Sequence, residues 1–328
     1  MSNGAVHGES LGMPMDRQHP CMTDIALRKE LIALGYTDRS LARAVGHGTL
    51  AKPRRGAYVD GPTWAALTRE EQYAVRIRAV LRQSCAEAVA SHVSALPFLE
   101  APTWALPLDL VHTTRKDRKA GRREAGIKQH LGELVEGDLI AVGDLECSAP
   151  MRATLEVATM SGVEPALVVL NHFLHRGDFT AAQIRERYEM GMALWPDSLS
   201  TDLLLRLGDP RIASVGESRT YYFLWRHHFP SPEPQFEVRD GPFLAFLDFA
   251  FPELGVWIEF DGKEKYLRYR RPGESVADAV VREKQRESTI AELTGWRCLR
   301  ITWADLADPI RLSRRIRAVI VSAQAARR

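Results

Sequence analysis

Between Phe243 and Lys263 the chain reads FLAFLDFAFPELGVWIEFDGK, which places Asp248, Glu259, Asp261 and Lys263 at spacings that suit metal-dependent phosphodiester chemistry. Side chains on a strand alternate between faces. Trp257, Glu259, Asp261 and Lys263 therefore share one side, and Val256, Ile258 and Phe260 the other. The pattern predicts one core face and one chemical face. Phe243 to Phe249 is apolar on both faces, as a central strand is, and delivers Asp248 just before the turn Pro252-Glu253-Leu254-Gly255. A hard divalent cation, magnesium or manganese, takes one or two carboxylates together with water and phosphate oxygens. Asp248 with Glu259 or Asp261 can supply them, and Lys263 can orient an attacking water or neutralise charge on the phosphorus. On a solvated hairpin the same charges would only face water.

These groups need a sheet with flanking helices to hold them. The pattern breaks at Pro196 and at Asp209-Pro210, which marks the approach to a C-terminal domain. A helix is predicted over Glu217 to His227 and a strand over Gln235 to Val238, joined by the extended, proline-rich run Phe229 to Pro234. Arg268, Tyr269, Arg270 and Arg271 follow the acidic strand in a loop suited to phosphate contact and base stacking. Lys284 and Arg286, on the next helix, are expected to point toward the site. A last helix, Pro309 to Ile320, puts its arginines on solvated faces.

In this order the elements resemble the PD-(D/E)XK nuclease superfamily, in particular its very short patch repair endonuclease-like (Vsr-like) branch. The matching segments are Gly216-Glu217-Ser218, Asp248, Glu259-Phe260-Asp261-Gly262-Lys263, Arg282 to Glu287, and Gly295 to Trp303. The resemblance implies a restriction-endonuclease-like α/β/α domain with a mixed sheet. It makes Asp248 and either Glu259 or Asp261 the metal ligands, Lys263 the catalytic lysine and Glu217 an accessory acid. Some Vsr-like proteins carry a histidine shortly after the Asp-Gly pair. Glu264, Lys265 and Tyr266 stand there in this chain, so a histidine-assisted mechanism is not implied.

The N-terminal region has a different logic. Residues 1–20, rich in Gly, Ser, Met, Pro and His, show no apolar period and are expected to be unstructured, and Met13, Met15 and Met22 leave the start of translation open. Thr23 or Asp24 can cap a helix through Leu34, with Ile25, Leu27, Leu31, Ile32 and Leu34 as its apolar stripe and Gly35 as its stop. A second helix after Thr37 or Asp38 would turn Leu41, Ala42 and Val45 inward and Arg39 and Arg43 outward. A basic hairpin then runs from Thr49 to Val59. Two short helices and a basic hairpin make the layout of a winged helix-turn-helix, in which one helix enters the major groove and Lys52, Arg54 and Arg55 contact phosphates.

Leu41 to Val45 together with Arg54 to Val59 resemble the winged domain of AbiEi-type antitoxins, the autoregulators of type IV toxin–antitoxin systems. Ser91 to Leu96, Val111 to Thr114 and the helix Arg152 to Ala158 resemble, less specifically, the second domain of such proteins. This resemblance implies DNA binding and brings no catalytic residue.

The middle of the chain alternates helix and strand patterns: a long helix over Glu70 to Val89, strands over Leu106 to Thr113 and Val135 to Gly143, helices over Met151 to Met160 and Pro165 to Leu174. Between them, six cations and one aspartate in the eleven residues from Thr113 to Arg123 make Arg115, Lys116, Arg118 and Lys119 candidates for a second backbone contact. His92 and His112, isolated in apolar or strand contexts, are read as structural histidines.

The expected architecture is therefore multidomain α/β: an unstructured segment over 1–20, a winged helix-turn-helix over 21–66, an AbiEi-like α/β middle domain over 67–195 and a nuclease-like domain over 196–328. A net charge of +2 is too small to bring nucleic acid to the whole molecule, so any basic footprint has to be local. Cys21, Cys85, Cys147 and Cys298 lack metal-ligand or redox spacing, which fits a reducing cytoplasm. No run approaches the roughly 18 apolar residues of a membrane span. Two functions are weighed. One is a DNA-acting protein with a magnesium- or manganese-dependent endonuclease domain in bacterial or phage defence, with RNA as the alternative substrate. The other is a non-enzymatic autoregulator that meets DNA and a cognate toxin.

Overall fold

The computed structural model describes residues 24–84, 87–117, 123–124, 126–261 and 275–327. The chain divides into two compact units, one ending at Ala88 and one beginning at Val89. Lys263, Arg118, Lys119, Arg268, Arg270, Arg271, Tyr269, Cys21, Cys85 and the segment 1–20 lie outside the described residues.

The first unit is built on the strands β1 (Ala26–Leu27), β2 (Leu50–Arg54) and β3 (Ala57–Asp60), in the spatial order β1-β3-β2. Its helices are α1 (Arg28–Ala33), α2 (Asp38–Gly46), α3 (Gly61–Ala66) and α4 (Arg69–Gln83). The first predicted helix is shorter than its apolar stripe suggested. Ile25 and Leu27 pair or pack with the β3 region and share a core with Ala57, Val59, Val75 and Ala79, so the helix begins only at Arg28. In α2, capped by Thr37, Leu41 is buried and Val45 packs beside it, whereas Ala42 is exposed, contrary to the expected stripe. Val75 and Ala79 belong to this core, so α4 packs within the first unit.

The second unit holds two sheets. One has six strands in the order β6-β7-β5-β4-β9-β8: β4 (Ala88–Ala90), β5 (Val111–Arg115), β6 (Arg123–Glu124), β7 (Ile127–His130), β8 (Leu139–Val142) and β9 (Leu145–Ser148). β5 and β7 run parallel, as do β4 and β9. The strand expected over Leu106 to Thr113 is displaced to Val111–Arg115. Helices α5 (Pro150–Ala158), α6 (Val163–Arg176), α7 (Ala181–Arg187) and α8 (Thr201–Leu207) follow, and α9 (Val215–Arg226) leads to the second sheet.

That second sheet is mixed. β10 (Glu233–Asp240), β11 (Phe243–Phe251) and β12 (Val256–Phe260) are antiparallel neighbours, and β13 (Arg297–Ile301) adds parallel to β12 after a crossover that contains α10 (Val276–Thr294). Two helices follow, α11 (Trp303–Leu306) and the longer α12 (Pro309–Ala326). One face packs Phe249, Phe251, Ile258 and Phe260 against Phe223 and Leu224 of α9 and Leu312 and Ile316 of α12. The other face packs Ala250 and Trp257 against Ile290 of α10. Helices thus cover both sides of the sheet, and β12 is buried along its whole length, as a strand with two covered faces must be. The expectation of one core face and one purely chemical face on this strand is corrected: Trp257, on the side of Glu259, is a core residue.

Candidate active site

Five acids line one cavity of about 800 Å³ in the second unit: Glu217 from α9, Asp248 from β11, Glu259 from β12, Asp261 just past the end of β12 and Glu283 from α10. Its cationic wall is Arg211, Arg282, Arg286 and Arg300. Asp248 and Glu259 each stand one residue beyond the paired residues Phe249 and Ile258 on their strands, so strand pairing itself brings them side by side. Both are buried, at 7% and 6% exposure. A buried carboxylate needs hydrogen-bond partners to remain charged.

Those partners are fixed by the backbone and by α10. Asp248 Oδ2 accepts the amide of Phe260 at 2.8 Å, and the next amide, of Asp261, donates to the carbonyl of Ile301 at 2.7 Å. Glu259 Oε1 accepts from Arg286 Nη2 at 3.3 Å, and the same nitrogen donates to the Phe246 carbonyl at 2.8 Å. Arg286 Nη1 in turn donates to Glu283 at 3.1 Å. Arg300 donates to both Glu283 and Glu287, at 3.0 and 2.8 Å. Burial works against the charge on Arg300, but the hydrogen bonds from these two carboxylates outweigh it and hold its pKa above the usual value. The chain Glu259–Arg286–Glu283–Arg300–Glu287 alternates in sign, which keeps each guanidinium paired inside the wall.

Glu217 is held separately. Ser214 caps α9 by accepting the Glu217 amide at 3.1 Å, while the Glu217 carboxylate accepts from Ser214 Oγ at 2.8 Å and from the Ala213 amide at 3.1 Å. The acid sits in the first turn, where the helix dipole favours negative charge. Gly216 lets this turn reach the sheet: a Cβ there would lie 2.0 Å from the ring of Phe260. The opposite wall carries a strained residue. Gln235 lines the cavity with φ at 53° and drops out of the β10–β11 register between the pairs Pro234–Phe249 and Phe236–Leu247, opposite Asp248. A non-glycine residue in the left-handed region costs about 1–3 kcal/mol and persists only where its surroundings impose it.

The remaining sequence-derived sites divide. Arg286 reaches the cavity, but Lys284 is exposed on α10 away from the lining, because it stands two residues from Arg282 and Arg286, about 200° around the helix. Arg115 is ion-paired to Asp117, with Nε at 2.8 Å, and Lys116 to Glu146, so both are engaged within the fold. Arg39 and Arg43 on α2 and Lys52 and Arg55 on the β2–β3 hairpin are exposed, and Arg54 is half-buried. His92 and His112, read as isolated, meet each other and His130. Sequence reasoning missed Arg282, Arg300 and Gln235; the arginines at i, i+4 on α10, Arg282 and Arg286, were the available signal.

Carboxylate oxygens are the donor type that a hard dication takes. Asp248 and Glu259 are oxygen donors on one cavity wall. Among the described residues no three of the cavity's acids bring an oxygen each within 4.8 Å of one another. The chain matches no protein-family model and no curated protein sequence.

Proposed function

We propose that this chain binds DNA through its first unit and hydrolyses phosphodiester bonds at the acidic cavity of its second unit, with magnesium or manganese as cofactor. The observation that carries this reading is the pairing of two buried carboxylates, Asp248 and Glu259, on adjacent strands at the wall of an open cavity that also presents arginines. Asp248 and Glu259 would hold the ion, with Asp261 at the strand end beside them. When bound, the ion polarises the phosphodiester and makes a neighbouring water more acidic.

The chain's own groups do the rest. Arg286 keeps the Glu259 carboxylate oriented, and the Phe260 amide does the same for Asp248. Glu217, fixed by Ser214 and the Ala213 amide, adds an acceptor for a water proton at the cavity edge. Arg211, which donates Nε and Nη2 to Asp209 at 3.0 and 2.7 Å, and Arg282 add positive charge to the cavity lining, which draws a phosphate. Lys263 keeps the role of catalytic lysine on the strength of the Vsr-like resemblance. In the first unit, α2 with Arg39 and Arg43 and the hairpin with Lys52, Arg54 and Arg55 supply the DNA contacts of a winged helix-turn-helix.

The test is incubation of purified full-length protein with Mn²⁺ or Mg²⁺ and supercoiled, linear and single-stranded DNA, with matched RNA alongside. Nicking or cleavage that disappears in Asp248→Asn and Glu259→Gln supports the reading, and cleavage of RNA alone moves the substrate to RNA. DNA left intact under all conditions refutes the enzymatic reading. Specific binding to the chain's own promoter without cleavage would then favour the autoregulator reading, which the exposed cations of the first unit serve equally well.

A further inference from the structure

Away from the acids, three imidazoles from three separate segments meet. His92 opens the 3₁₀ turn that follows β4, His112 lies on β5 and His130 ends β7. The parallel register sets His112 against Lys128 and Thr114 against His130, so His112, Thr114 and His130 share one face of the sheet. One ligand-capable nitrogen from each histidine lies within 4.8 Å of the other two. His112 Nδ1 is 2.9 Å from His130 Nε2, and the His92 and His130 rings stack with centroids 3.6 Å apart. His92 and His112 are buried and His130 is half-buried, which leaves a way in from the surface.

The surroundings are those of a ligand set. Behind His92, the Glu156 carboxylate accepts the His92 amide at 2.8 Å and lies 3.7 Å from Nδ1, and Arg152 Nε fixes that carboxylate from its far side at 2.8 Å. The hydrogen-bond partner of His92 Nδ1 is Ser91 Oγ, at 3.1 Å, which sets the ring orientation with Glu156 beyond it. On the shared face, the buried hydroxyl of Thr114 has no hydrogen-bond partner among the described residues. Metal ligation requires the neutral imidazole. Burial lowers the proton affinity of all three, taking His112 to about 4, and the exposed Lys128 nearby acts in the same direction.

We propose that His92, His112 and His130 bind one divalent transition-metal ion of the zinc class, at a site that shares no residue with the acidic cavity. Imidazole nitrogens favour zinc, cobalt, nickel or copper over magnesium and manganese, which prefer oxygen. The fourth position would be taken by water, as at open three-histidine centres. Two nitrogens at about 2.0–2.1 Å from a tetrahedral ion stand about 3.3 Å apart, so the His112–His130 gap has to widen by about 0.4 Å. His92 has to swing off the face of His130 by a side-chain rotation. The ion would tie the turn after β4 to β5 and β7.

The experiment uses full-length protein stripped with EDTA, dialysed into metal-free buffer and titrated with Co²⁺ and then Zn²⁺. We expect one equivalent of cobalt, with the intense visible absorption of a four-coordinate ion, displaced by zinc. At a hundredfold excess of zinc over its Kd the melting temperature should rise by about 5 °C or more. His130→Gln and His92→Gln should each lose the cobalt absorption while keeping the far-UV circular dichroism of the parent, and Asp248→Asn should keep it. Less than about a tenth of an equivalent bound by the parent protein, or only the pale spectrum of a six-coordinate ion, overturns the proposal whether or not the histidine variants fold. So does binding that survives in folded His130→Gln, or that vanishes in Asp248→Asn.

Discussion

The carboxylate of Asp248 accepts the main-chain amide of Phe260 at 2.8 Å, a contact between residues twelve apart that ties the middle of β11 to the end of β12. The bond fixes one acid by the backbone of the strand that carries the other. Asp248→Asn keeps an oxygen to receive that amide but removes the charge. Metal-dependent cleavage should fall by more than about 100-fold, beyond the usual cost of losing an outer-shell partner, while the melting temperature stays close to that of the parent. Plasmid nicking with Mn²⁺ and a thermal melt on the same sample check both halves.

Arg286 orients Glu259 by donating Nη2 to its Oε1 at 3.3 Å. Arg286→Gln should therefore lower cleavage by about 10- to 100-fold and raise the Mn²⁺ concentration needed for half-maximal rate. A loss of rate with an unchanged metal requirement would argue against this role.

Gly216→Ala forces a methyl carbon into the Phe260 ring, to 2.0 Å if nothing moves. Overpacking of this kind costs about 1–3 kcal/mol. Chemical denaturation should show that loss, and Phe260→Ala in the same chain should make the added methyl group nearly neutral, a non-additivity that a double-mutant cycle reads directly.

Asp305 has a depressed pKa: burial opposes its charge, but hydrogen bonds from the Thr302 amide and hydroxyl and from Arg315 outweigh it. The folded value lies below the unfolded one, so the unfolded chain binds more protons as pH falls. The contribution is complete above the unfolded carboxylate range near pH 4 and is lost as pH drops through the lower folded value. Asp305→Asn should flatten the pH dependence of stability below about pH 4. Urea midpoints at pH 3 and pH 7 provide the comparison.

Lys52 and Arg55 are exposed on the hairpin of the first unit. If both neutralise phosphates, Lys52→Ala with Arg55→Ala should weaken DNA binding about equally for all sequences and reduce the slope of log K against log salt by about 2. A changed sequence preference with an unchanged slope would show that they read bases instead.

Much of the second sheet was legible because its strands carry strong local patterns. The run from Phe243 and the segment Val256 to Phe260 are apolar stretches of strand length, although Leu244 and Phe246 at the start of the first are exposed, and the predicted helix at Glu217 begins within two residues of its observed start. The cover on Trp257 was not legible, since alternation gives the side of a strand but not whether a helix 33 residues later, at Ile290, lies over it. The histidine trio was hidden for a related reason. His92, His112 and His130 are separated by about twenty residues each and meet through the parallel pairing of β5 with β7, which leaves no local mark. At the N-terminus, Leu27 fits a helical stripe with Leu31 and Leu34 but also alternates with Ile25 as on a strand, and the pairing with β3 selects the extended form.

The absence of a side chain at position 216 is what lets helix and sheet share a wall, and it reaches beyond this molecule. Any descendant that gains a methyl group there must shrink the aromatic at 260 in compensation or let the helix retreat with its acid. Copies that keep both acidic strands but break this small-for-large pairing should hold Glu217 farther from the sheet, a displacement that a sequence alone would flag.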